Sequence, residues 1–152
     1  MNPALALRLI ARVRVRIGEV LDVGEVVGGH RRVIPIAEGV VEGPELFGEV
    51  VPLGADWNLA RADGTDTVSA RYVITTRDGV LLSVLNEGVI ADRAHGRVGI
   101  TSLAIEAPAA SPYAWLNDAV LVGSLSVDED ARGALILLEF WCVDLAADAP
   151  TA

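Results

Sequence analysis

Six polar side chains could converge on chemistry in this chain: Asp56, Arg71, Asn86, Glu106, Tyr113 and Asn117, with Trp57, Trp115 and Trp141 as aromatic walls. A carboxylate drawn into apolar surroundings is pushed toward its neutral form, or held ionised by an arginine, and either state can do acid–base work. Asp56 and Arg71 are the candidate couple, with Tyr113 able to donate a hydrogen bond to a carbonyl as charge develops there. These three are the expected catalytic residues. Trp57, Asn86, Glu106, Trp115, Asn117 and Trp141 are the expected substrate contacts. Asp56 and Arg71 could equally be a structural ion pair closing one end of the fold.

Other chemistries lack their parts. His30 and His95 are the only histidines and neither begins a spaced metal-ligand pair, so no metal is expected. No GxSxG elbow accompanies a nucleophile, and all 12 basic residues are arginines, so a lysine Schiff base is out of reach. Neither a P-loop nor a dinucleotide-binding glycine turn opens a helix. No cofactor is expected. The net charge of −9 argues against a nucleic-acid partner, which requires a dominant cationic surface.

The elements that must position these residues are strands. Arg8, Arg12, Arg14 and Arg16 lie at even positions through Leu9, Ala11, Val13, Val15 and Ile17, a period of two that predicts one aliphatic face and one wet guanidinium face. Gly18 to Arg32 reads as a turn-rich connection. Val33–Val41 and Leu46–Val51 read as strands, with a turn or bulge at Gly43-Pro44. Asp78-Gly79, taken as a two-residue type I′ loop, sets Thr75 against Leu82, Val73 against Val84 and Arg71 against Asn86. Arg71 and Asn86 should then share a face. Ile90 to Arg97 reads as a loop, Val98–Glu106 as a strand, and Trp115–Leu125 and Gly133–Val143 as the last two strands. The fold expected is all-β, an antiparallel barrel of about eight to ten strands over residues 1–144, with 145–152 as a flexible tail.

The chain is 52% hydrophobic by composition, yet aromatic residues are only 5%. Such an excess should line a cavity or cover a subunit interface, so a two-fold dimer is expected. No apolar run approaches the ~20 residues of a membrane-spanning helix, and arginines interrupt the first segment, so a cytoplasmic protein is expected. Cys142 sits in an apolar stretch and reads as a small buried hydrophobe.

Gly29-His30-Arg31-Arg32-Val33-Ile34-Pro35-Ile36, then Glu42-Gly43-Pro44, Gly48-Glu49-Val50 and Gly54-Ala55-Asp56-Trp57 follow one another along the chain. Ala70-Arg71-Tyr72, Asn86-Glu87-Gly88 and Tyr113-Ala114-Trp115-Leu116-Asn117 complete the order. Over about Val13 to Val143 it resembles a bacterial and fungal family of small proteins of unknown function built as calycin-like β-barrels. The resemblance implies a lipocalin-like barrel and brings no reaction with it. In one place the chain departs from the family: Ile100-Thr101-Ser102 stands where an aromatic-Arg-Thr motif is expected. Ile100 replacing that arginine, after a shortened connection, should leave a wider and drier mouth.

A dry barrel without cofactors suits isomerisation or ring closure, because holding a flexible polyketide-like chain in one shape removes entropy in advance. The functional expectation is therefore a cofactor-independent cyclase or isomerase of secondary metabolism acting on a hydrophobic intermediate. The alternative is a barrel that carries a small apolar molecule without changing it.

Overall fold

Among the described residues, side-chain alternation produces ten strands: β1 Leu5–Ile17, β2 Leu21–Val26, β3 Gly29–Pro44, β4 Gly48–Val50, β5 Ala55–Ala60, β6 Asp66–Thr76, β7 Leu81–Arg93, β8 Gly96–Glu106, β9 Leu121–Asp130 and β10 Gly133–Leu145. The computed structural model describes residues 1–147. Of the expected tail, Leu145 belongs to β10 and 148–152 lie outside the described residues.

The strands close on themselves. β1, β10, β9, β8, β7 and β6 are successive antiparallel neighbours, β4 and β5 together fill the next position, and β3 returns to β1. The ring thus has eight positions, the size at which side chains can fill the interior. β3 is 16 residues long because it serves two pairs of neighbours: β1 and β4 along its second half, β2 and β5 along its first. β2 has β3 alone as a neighbour. The expected connection Gly18–Arg32 is therefore mostly strand, and the expected loop at Ile90–Arg97 is the tight end of the β7–β8 hairpin. Trp115 lies in one turn of 3-10 helix, Ala114–Asn117, rather than in β9.

A bulge in β1 overturns the single guanidinium face. The register with β10 shifts between Leu9 and Ala11, and that with β3 shifts between Ala11 and Arg12, opposite Gly43. Ile10 is the extra residue, and its carbonyl accepts the N–H groups of Glu45 and Leu46 at 2.9 and 3.1 Å. An extra residue exchanges the two faces of a strand. Beyond it Val13 and Val15 are buried while Arg12 and Arg14 are exposed on the outer wall. Before it Leu5 and Leu7 are exposed and Arg8 turns inward. Gly43 lets the corner close, because a Cβ there would stand 2.3 Å from the Phe47 ring.

The interior is packed. Ile10, Ile74, Leu82, Val84 and Phe140 are fully buried, and Leu116 plugs one end from the connection after β8. At that closed end Arg8 Nε donates to Asp144 at 2.8 Å, its Nη1 pairs with Glu45, and its guanidinium lies 5.5 Å from the Trp115 ring centre. All three charges of this cluster, Arg8, Glu45 and Asp144, are paired. The apolar surplus divides between this core and outer positions such as Leu5, Leu7, Val120 and Leu145.

Candidate functional site

At the other end of the barrel the inner face turns polar. Asp56 and Asn58 on β5 share the inward face with Ile34 and Arg32, their cross-strand partners on β3. Tyr72 on β6 and Asn86 on β7 are buried from the next strands. A cavity of about 60 Å³ lies among them, walled by Val15, Ile36, Val68, Leu125, Ile136 and Leu138 and touched by Asp56, Tyr72 and Asn86.

The hydrogen bonding around this cavity is incomplete. Asp56 Oδ1 accepts the Ser69 N–H at 2.8 Å, where the β5–β6 ladder is interrupted. Arg32 Nη2 donates to Asn58 Oδ1 at 2.9 Å. Tyr72 Oη, Asn86 Oδ1 and Arg32 Nε are buried without a partner, as is Thr101 Oγ1. An orphaned buried polar atom costs about 1–3 kcal/mol until something hydrogen-bonds to it. The cavity therefore offers one donor, the Tyr72 phenol, and one acceptor, Asn86 Oδ1, while Arg32 Nε is a further unpaired donor outside its lining.

Electrostatics follow from the same geometry. Burial pushes the Asp56 carboxyl above the usual carboxylate range, against the opposing pull of the Ser69 N–H and of Arg32 and Arg31. Burial likewise raises the Tyr72 phenol, with the nearby Asn86 amide opposing it from outside good hydrogen-bond geometry, so the phenol keeps its proton at neutral pH. A carboxyl that holds its proton more tightly and shares a cavity with a phenol can give or take a proton at a ligand carbonyl or hydroxyl. Among the described residues no three His, Cys, Asp or Glu side chains come together as a metal-ligand set.

Of the expected site residues, the structure brings Asp56 and Asn86 together and separates the others. The β6–β7 hairpin pairs Thr75 with Leu81, so Arg71 faces Leu85 and Asn86 faces Ala70. The turn explains the slip. Gly79 alone takes positive φ, and Val80 N–H bonds to Thr76 Oγ1 while Thr76 N–H bonds to the Val80 carbonyl, closing a longer loop than type I′. One residue of register moves a side chain to the other face. Arg71 is consequently exposed on the outer wall, in a groove of about 400 Å³ shared with Leu53, Trp57 and Val73. It cannot be the partner of Asp56, whose guanidinium neighbour inside the barrel is Arg32.

Tyr113, Trp115 and Asn117 belong to the closed end. Tyr113 Oη donates to Asp78 Oδ1 at 2.7 Å, and the Asn117 amide clasps Ala107 N–H and C=O at 2.9 and 3.0 Å. Glu106 is exposed at the end of β8, and Trp141 alternates outward between buried Phe140 and Cys142. Ile100 is 57% exposed on the outer wall, so replacing an arginine there does not reshape the mouth. Tyr72, Arg32 and Asn58 were missed, though strand parity carried the signal: Asn58 lies two residues from Asp56, and Arg32 alternates with Ile34 and Ile36.

Comparison with known proteins agrees with this architecture. The family described as "Protein of unknown function (DUF3237)" matches residues 5–143. A UPF0311 protein of Rhodopseudomonas palustris is 37% identical over 89 residues, 59% of this chain and 58% of the relative, so the match spans less than two thirds of that relative's length. A beta-barrel like protein from Acinetobacter baumannii superposes with a TM-score of 0.86 at 26% identity, over 95% of this chain and 99% of that one. A structure described as an enzyme from Penicillium herquei shares the fold, with a TM-score of 0.72 at 20% identity over 95% and 97% of the two chains. No helix among the described residues is long and apolar enough to cross a membrane.

Proposed function

The chain belongs to the DUF3237 family, and from its barrel we propose a cofactor-independent isomerase that takes the polar end of an apolar small molecule into the barrel and moves a proton on it. The observation that carries this reading is the pair of buried, unpartnered atoms Tyr72 Oη and Asn86 Oδ1 in one cavity with the Asp56 carboxyl, with the unpartnered Arg32 Nε one inward-facing row further along β3. Tyr72 and Arg32 would donate to the ligand oxygen, and Asp56 would shuttle the proton. The aliphatic walls keep water from competing for it.

Volume favours one of the two reactions expected from the sequence. About 60 Å³ holds one end of a ligand, not a polyketide-like chain folded for ring closure, so proton transfer suits the site and cyclisation does not. The mouth then holds the apolar remainder. The carrier reading is favoured by one observation: Asp56 already bridges the β5–β6 ladder through Ser69, a structural task that needs no turnover.

The test is conversion of small β,γ-unsaturated ketones to their conjugated isomers, followed by NMR in deuterated water. Wild type should convert them with deuterium incorporation, and Asp56→Asn should lose roughly 10²–10⁴-fold, the span of a general acid–base contribution. Equal rates in the two proteins would remove Asp56 from the chemistry. Recovery of bound but unaltered, undeuterated ketone would establish the carrier. Tryptophan emission is a poor monitor of this site, since Trp57, Trp115 and Trp141 all lie outside the cavity.

A further inference from the structure

We infer that the ligand this barrel selects is an acid, whose carboxylate is received by the Arg32 guanidinium one row nearer the mouth than Asp56. The inference rests on the binding site proposed above and adds the ligand's charge to it. Three other arginines at the barrel ends already hold carboxylates: Arg8 has Asp144 and Glu45, Arg16 has Asp130, and Arg97 has Asp66 and Asp92. Arg32 has none within ion-pair distance among the described residues. Its one side-chain hydrogen bond goes to a neutral amide, Asn58, and its Nε is buried with nothing to donate to.

Neighbouring carboxylates are engaged elsewhere. Asp22 stands directly across the β2–β3 ladder from Arg32, yet its Oδ1 bonds to His30 Nε2 at 2.7 Å, and His30 Nδ1 is held by Glu25 at the same distance. Asp56, the cross-strand partner of Ile34 next along β3, gives its Oδ1 to the Ser69 N–H. A half-buried guanidinium with an unpaired Nε–H and no partner but a neutral amide on Nη2 suits a carboxylate, which accepts a charge-assisted hydrogen bond from Nε and can displace or share the Asn58 contact. Register along β3 fixes the rest of the ligand. From Arg32 inward the same face continues through Ile34 to Ile36 at the cavity wall, so an acid held at the rim directs its carbon skeleton against aliphatic side chains and toward Tyr72.

The experiment uses the intact protein at neutral pH and isosteric probe pairs, hexanoate against hexanamide and benzoate against benzamide, titrated by calorimetry and ligand-observed NMR. Wild type should bind each acid at least ten-fold more tightly than its amide. Arg32→Gln should lower acid affinity at least ten-fold and amide affinity by a smaller factor, so that the preference for acid over amide disappears. Tyr72→Phe should weaken acid and amide alike. Equal binding of acid and amide by wild type, or an acid preference that survives Arg32→Gln, overturns the inference and leaves the proposed site standing. Binding of neither class overturns both. The wild-type comparison needs no substitution, so a variant that fails to fold does not blunt the test.

Discussion

Two inward-facing arginines stand at opposite ends of one barrel, and their surroundings differ in kind. Arg8 closes its end with two carboxylates and a tryptophan face, and every charge is matched. Arg32 opens the other with one amide contact, a bare Nε, and orphaned Tyr72 and Asn86 atoms beneath it. The two guanidiniums are chemically identical. The contrast shows that a satisfied polar cluster inside a fold is a closure, while an unsatisfied one stores hydrogen-bonding capacity that only a guest can use.

The sharpest way to break that contrast is to remove Arg8. Arg8→Met would leave Glu45 and Asp144 facing each other without a cation. It should cost about 2–3 kcal/mol in urea unfolding, below the 3–5 of a fully buried pair because these side chains are partly solvated. An unaltered unfolding midpoint would mean that the closed end is not held by its charges. Tyr72→Phe tests the other end. Deleting an orphaned hydroxyl should leave stability unchanged or raise it by up to about 1 kcal/mol, because no native hydrogen bond is lost. A loss of more than about 1 kcal/mol would show that the phenol is already satisfied in the folded state.

Acid titration should separate the ends by sign. Asp144 lies below the usual carboxylate range, chiefly through its bond to Arg8, so its contribution is present above the unfolded value and is lost as pH falls through the folded one. Asp56 lies above its usual range through burial. Between its unfolded and folded values the native state holds a proton that the unfolded chain releases, so its contribution weakens as pH rises through that window. The stability difference between Asp56→Asn and wild type should therefore move in favour of the variant from acid toward neutral pH. A difference that stays flat would remove burial as the force acting on Asp56.

The barrel was legible in the sequence because alternation and turn residues are local signals, and strands such as Val98–Glu106 and Gly133–Val143 follow from them almost residue by residue. The site was less legible, since it depends on parity. At Asp78-Gly79 the turn lies where expected but is not type I′: a loop one residue longer places Arg71 outside and pairs Asn86 with Ala70. At Ile10 one bulged residue sends Arg8 inward although its spacing from Arg12 is even. Neither event has a signature in a short window. The bulge is set by distant partners, Gly43 and Leu46, and the turn by the side chain of Thr76, which binds Val80 N–H across it. Asp56 was found because a carboxylate in an apolar context is conspicuous, while Tyr72 and Arg32 pass for an ordinary core aromatic and a solvated charge.

One consequence remains in β2. β2 has β3 as its one paired neighbour, so along the far side of Leu21–Val26 the backbone offers a row of amides and carbonyls to a foreign strand. Valines 23 and 26 make that border sticky, while the shift in pairing at Gly24 kinks it and the carboxylates of Asp22 and Glu25 repel a like-charged newcomer. Those two acids do double duty: they clamp His30 and guard the seam against aggregation.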